Sequence, residues 1–134
     1  MRWAGSGALL VDDRKEVLAF AAAVLEGAGY RVLTASGGEQ AIGIAAQYRG
    51  PVHLLVTDAV MPGMKGADLA RRLRSSSPTL PVVIISGYST DLDAVSRHDS
   101  FFYLAKPFSG EALLRQVHRA ILSSPPLLVR SSDS

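Results

Sequence analysis

The chain has 134 residues, 48% of them hydrophobic and 19% charged, with a formal net charge of +2 and a pI near 9.2, so it is long enough for one domain with a real core and too short for two comfortable ones. The absence of cysteine excludes disulfide frameworks, thiol catalysis and thiolate metal sites together. No apolar run approaches the ~18 residues needed to span a bilayer, and Met1 to Gly7 has no apolar segment of the signal-peptide kind, so a cytoplasmic location without membrane attachment is the expectation.

Residues 1–7 read as a flexible N-terminal segment. Ala8-Leu9-Leu10-Val11 is a short apolar strand that stops at the acidic pair Asp12-Asp13. From Arg14 to Ala28, apolar residues at Val17, Leu18, Ala21, Val24, Leu25 and Ala28 give a helix with one buried stripe, closed by Gly27 and Gly29. Tyr30 to Ala35 has the β-branched character of a second strand. Ser36-Gly37-Gly38-Glu39 has the spacing of a capping box, which predicts a second helix running to about Tyr48.

The third strand, Leu54-Leu55-Val56-Thr57, runs into a lone carboxylate, Asp58, with the turn signal Pro62-Gly63 close behind. Its unbroken apolar run suits a strand covered on both faces, as in a parallel sheet. A third helix from about Gly66 carries Leu69, Ala70 and Leu73, and Pro78 ends the region. A fourth strand, Leu80 to Ile85, gives way to Ser86-Gly87. A weakly amphipathic helix is expected from Ser89 to about Arg97. Phe101 to Ala105 is a fifth strand, halted by Lys106-Pro107. Ser109 caps a last helix with Leu113, Leu114, Val117 and Ile121 on one face, and Pro125-Pro126 stops it. Residues 123–134, rich in Ser and Pro, read as a flexible tail.

Five strands alternating with five helices predict a parallel sheet with helices on both faces. The basic residues Arg71, Arg72 and Arg74 share one helix and read as a solvated face, so direct nucleic-acid binding is not expected. His53, His98 and His118 show no ligand spacing.

In such a sheet all strand C-termini share one edge, where ligands bind. Asp12, Asp13, Asp58, Ser86 and Lys106 follow four of the five strands and therefore converge. Singly, each has an ordinary reading: Asp12 or Asp13 as a helix cap, Asp58 and Ser86 as turn residues, Lys106 as a solvated charge. Together they describe a phosphate site with a nucleophile. Two unit charges at 4 Å repel by about 4 kcal/mol at an effective dielectric of 20, so the acids call for Lys106 and a hard cation, for which Mg²⁺ fits best.

The ordered set of Asp12-Asp13, Asp58-Ala59-Val60-Met61-Pro62-Gly63, Ile85-Ser86-Gly87 and Lys106-Pro107-Phe108 resembles a receiver domain of the two-component response-regulator family. The likeness covers residues 8–122. It implies a flavodoxin-like (βα)5 three-layer sandwich, a five-stranded parallel sheet with order 2-1-3-4-5. It also implies that Asp58 is the phosphoacceptor, charged by a histidine kinase, a histidine phosphotransfer protein or a small phosphodonor. By position, Asp13, Asp58 and the backbone carbonyl of Val60 would ligate Mg²⁺ (or Mn²⁺), and Asp12 would hold a metal-bound water. Lys106 and Ser86 would contact the phosphoryl oxygens, Tyr103 would act as the switch ring, and the bond to Pro107 would be cis. Val60 and Tyr88 resemble positions that tune phosphoryl lifetime.

The resemblance further implies a signalling domain rather than a turnover enzyme, a downstream protein effector, and possible homodimers through the fourth helix, fifth strand and fifth helix. The Ser86-Gly87-Tyr88 run is similar to receivers of hybrid histidine kinases. No output domain follows the last helix in this sequence, which leaves open a stand-alone receiver or one from a longer chain. Three other readings stand beside this one. A phosphatase of the haloacid dehalogenase type wants Asp-x-Asp rather than adjacent acids. An FMN binder of the same fold wants a hydroxyl-rich first loop. A degenerate receiver would serve only as a docking module.

Overall fold

The structure, a computed structural model, describes residues 7–48, 52–87 and 100–123. Its elements are β1 (Gly7–Val11), α1 (Lys15–Gly27), β2 (Arg31–Ala35), α2 (Gly38–Gln47), β3 (Val52–Asp58), α3 (Gly66–Arg74), β4 (Val82–Ser86), β5 (Phe102–Ala105) and a C-terminal helix (Gly110–Ser123). The helix expected over 89–97, together with Tyr88, His98 and most of the two terminal segments, lies outside the described residues. Gly7, read as part of the flexible start, is the first residue of β1.

The strands form one parallel sheet in the order β2-β1-β3-β4-β5, as the resemblance implied. Strand alternation splits the interior into two layers. Ala8, Leu10, Leu54, Val56, Val83, Ile85 and Leu104 face Ala21 and Leu25 of α1 and Leu113, Val117 and Ala120 of the C-terminal helix. Leu9, Val11, Leu55, Val82 and Ile84 face Ala41 of α2 and Leu69 and Ala70 of α3. β1 and β4 are buried along their whole length, which is why their sequences are apolar without alternation.

Two helix starts separate a correct expectation from an incorrect one. The Ala112 N–H donates to Ser109 Oγ at 3.0 Å, so Ser109 caps the C-terminal helix. The capping box at Ser36 does not form: Gly37 holds the cap position of α2 with extended backbone and no side-chain cap. Gln40, one residue beyond Glu39, reaches back instead, and its Oε1 accepts from the Ser36 N–H at 2.6 Å and from Ser36 Oγ at 3.1 Å. A cap one residue later shifts every side chain of the first turn by about 100°, which turns Glu39 outward.

At the opposite edge of the sheet, Arg74 does not belong to a solvated face. Its Nε donates to the Leu80 carbonyl at 3.0 Å, its Nη2 to the Ser100 carbonyl at 3.2 Å, and its guanidinium lies 4.9 Å over the Phe101 ring. Arg71 pairs with Asp68 at 3.0 Å. The basic cluster is therefore largely committed within α3 and its surroundings.

Candidate phosphoacceptor site

The register carries the acids to one place. Val11 pairs with Thr57, so Asp12 follows β1 at the level where Asp58 ends β3. Asp58 pairs with Ile85, and Ser86 with Ala105, so Ser86 ends β4 and Lys106 follows β5 one step further along the same edge. Neighbouring strands lie about 4.8 Å apart, which fixes the separations before any side chain is placed.

One ligand atom each from Asp12, Asp13 and Asp58 falls within 4.8 Å of the other two. Asp12 and Asp58 are buried, at 1% and 7% exposure, while Asp13 faces solvent. Lys106 Nζ stands 3.0 Å from Asp58 Oδ1 and 4.0 Å from Asp12 Oδ2. Asp12 uses its other oxygen locally: the Arg14 N–H donates to Oδ1 at 2.8 Å. It does not cap α1, whose cap position is Arg14 with no side-chain hydrogen bond. Burial raises the Asp12 carboxyl above its ordinary value, the Arg14 N–H opposes that, the Asp58 and Asp13 charges add to it, and Lys106 opposes it.

The donor set fits a small hard cation. Asp12 Oδ2 is buried and makes no hydrogen bond among the described residues. Such an orphaned carboxylate oxygen is costly unless a positive charge meets it. With one ammonium against three acids, oxygen donors on both buried and exposed sides match a cation that keeps several waters, as Mg²⁺ does.

Ser86 is buried at 2% exposure, and on its strand it shares the face of Ile84, toward α2 and α3. Tyr103 pairs in register with Ile84 and packs on that same face, with its hydroxyl oxygen buried. The candidate switch pair therefore lies on one side of the sheet, on adjacent strands, while Leu104, just before Ala105 and Lys106, packs on the other. Two further bonds hold this end of β5: the Lys106 N–H donates to the Ser86 carbonyl at 2.8 Å, and Gln116 Nε2 donates to the Tyr103 carbonyl at 2.6 Å. The Lys106-Pro107 bond is cis. Val60 is 57% exposed in the loop that follows Asp58.

That loop holds the residue that sequence reading passed over. Gly66 opens α3 directly behind Asp58, and a Cβ there would stand well inside 3.0 Å of the Asp58 carbonyl oxygen. A glycine at a helix start looks unremarkable in a sequence, so only the three-dimensional approach marks it.

Residues 8–118 match the family model of the response regulator receiver domain. The chain belongs to that family. This receiver is 36% identical over 111 residues to sensor kinase CckA of Brucella abortus (strain 2308), an alignment covering 81% of this chain and 12% of CckA. It is 35% identical over 116 residues to transcriptional regulatory protein CpxR of Klebsiella pneumoniae subsp. pneumoniae (strain HS11286), covering 85% of this chain and 48% of CpxR. The chain thus spans a small part of one relative and about half of the other. Among solved structures, a receiver domain protein from Clostridium thermocellum superposes with a TM-score of 0.78 at 29% identity, over 87% of this chain and 94% of that one. The receiver of hybrid histidine kinase CckA superposes with a TM-score of 0.72 at 35% identity, over 86% and 98%. Receivers are signalling domains of two-component systems, and no helix among the described residues of this one is long and apolar enough to cross a membrane.

Proposed function

We propose that this receiver accepts a phosphoryl group on Asp58 from the phosphohistidine of a histidine kinase or histidine phosphotransfer protein. The observation that carries the reading is Lys106 Nζ at 3.0 Å from Asp58 Oδ1, inside a cluster of three carboxylates in which one buried Asp12 oxygen has no hydrogen bond. Asp12, Asp13 and Asp58, with the Val60 carbonyl, would hold Mg²⁺ or Mn²⁺, which when bound supplies charge neutralisation for the incoming phosphoryl oxygens.

The rest follows from the chain's own side chains. An Asp58 carboxylate oxygen forms the new bond to phosphorus as the phosphorus to imidazole nitrogen bond breaks, and the electron pair leaves with the imidazole. Charge develops on the equatorial phosphoryl oxygens in transit. Lys106, already beside Asp58, and Ser86, at the end of the neighbouring strand, stabilise it without reorganisation. Once Ser86 engages the phosphoryl group, the Tyr103 ring on the same face repacks, and the fourth helix, fifth strand and fifth helix present the changed surface to a protein effector or a second copy. Val60, exposed beside the acceptor, and Tyr88 regulate access of hydrolytic water. The setting is the cytoplasm.

Intact mass after incubation with acetyl phosphate, with and without Mg²⁺, tests the reading. The expected result is a Mg²⁺-dependent gain of one phosphoryl group that Asp58→Asn lacks. No adduct after rapid quenching, and no binding of beryllofluoride, would reduce the chain to a docking module.

A further inference from the structure

We infer that Gly66 is a positioning residue for the carboxylate cluster, holding the loop 59–66 closed on the carbonyl of Asp58. The inference rests on the reading of Asp12, Asp13 and Asp58 as a cation site. Both ends of the loop are fixed by backbone bonds. At its start the Ala59 N–H donates to the Ile85 carbonyl at 2.8 Å, tying it to β4. At its end the Gly66 N–H donates to the Ala59 carbonyl at 2.9 Å, closing the loop on itself. Between them, Gly63 takes φ +86 after Pro62, and Met61 is buried at 5% exposure in the α2/α3 layer.

The closure works only because residue 66 has no side chain. An added Cβ would collide with the Asp58 carbonyl oxygen and crowd the Thr57 Cγ2 at 3.1 Å. The first of these is backbone of the strand that carries the acceptor, so no rotamer change relieves it. Thr57 is itself fully buried, and its hydroxyl donates to that same Asp58 carbonyl at 3.0 Å. If the end of β3 moves, Asp58 and Val60 shift relative to Asp12, which follows β1; if α3 retreats, the loop opens and carries the Val60 carbonyl away from Asp58. Of the four expected donors, Asp58 thus adjoins the loop that Gly66 shuts and the Val60 carbonyl lies within it, while Asp12 and Asp13 follow β1.

Mn²⁺ binding followed by electron paramagnetic resonance of the free ion, on the full chain, tests this with Gly66→Ala beside Gly43→Ala. Gly43 lies within α2 with nothing within 4 Å of an added Cβ. The expected result is affinity weakened about 10- to 100-fold in Gly66→Ala and unchanged in Gly43→Ala, the range seen when residues supporting metal ligands are altered. A merely structural role would lower the melting temperature yet leave Mn²⁺ affinity intact in the folded protein, and that result overturns the inference. No Mn²⁺ binding by the wild-type chain overturns the cation reading itself, and this inference with it. If Gly66→Ala does not fold, amide exchange of the wild type decides: Mg²⁺ should slow exchange of the Gly66 N–H, by reciprocity of coupling. An unchanged rate overturns it.

Discussion

Lys106 Nζ lies 3.0 Å from Asp58 Oδ1, and this ion pair joins the edge strand β5 to the central strand β3 across the top of β4. The ammonium keeps about one fifth of its side-chain exposure, the carboxylate about one tenth. Removing one partner of a fully buried pair costs roughly 3–5 kcal/mol. With this exposure, Lys106→Met should cost about 2 kcal/mol at neutral pH without divalent ions, read by urea unfolding. Adding Asp58→Asn to Lys106→Met should recover most of the loss, because the acids then number two rather than three.

Asp12 gives a pH signature. Its folded carboxyl titrates above the ordinary 3.8, chiefly because it is buried, so the folded state holds its proton more tightly than the unfolded chain does. The stability that this proton contributes is complete below 3.8 and is lost as pH rises through the raised folded value. Unfolding without divalent ions should therefore show Asp12→Asn gaining on the wild type across that window. Millimolar Mg²⁺ should narrow the gap. Parallel pH profiles for the two proteins would remove Asp12 as a source of strain.

The two helix starts predict different costs for the same substitution. Ser109→Ala removes a formed cap and should cost about 1 kcal/mol. Ser36→Ala should cost less than half of that, since the Ser36 N–H to Gln40 bond survives it. Gln40→Ala, which strands that N–H, should exceed Ser36→Ala. Chemical denaturation of the three variants checks the order.

In the layer under α1 and the C-terminal helix, Leu113 is fully buried. Leu113→Ala should cost about 2–5 kcal/mol by lost transfer energy and the cavity left behind. The acidic cluster stands at the sheet edge, so Mg²⁺ should raise the melting temperature of this variant by about as much as it raises that of the wild type.

The fold was legible because apolar runs and turn residues mark a parallel sheet in one dimension. Leu54 to Thr57 and Val82 to Ile85 are buried on both faces, and their composition shows it. Asp12, Asp13, Asp58, Ser86 and Lys106 were legible for a related reason: strand ends in such a sheet share an edge whatever their separation in sequence. What escaped depends on backbone position. The Ser36 box failed because capping is decided by which residue first turns helical, a matter of one position. Arg74 escaped because its two hydrogen-bond partners are carbonyls, which every residue carries. Gly66 escaped because close approach leaves no trace in composition.

The clamp at Arg74 bears on how this receiver can move. One guanidinium holds the entries to β4 and β5 through the Leu80 and Ser100 carbonyls, while Ser86 and Lys106 sit at the exits of those same strands. Two strands tied together at one end resist shearing past each other. Under the proposed function, a signal from Asp58 through this pair would travel as rotation of side chains and tilting of the exits about the tied base, a lever rather than a slide. Loosening the fulcrum, as in Arg74→Met, should let the exits drift, and under the proposed phosphoacceptor function it should blur the contrast between phosphorylated and unphosphorylated forms.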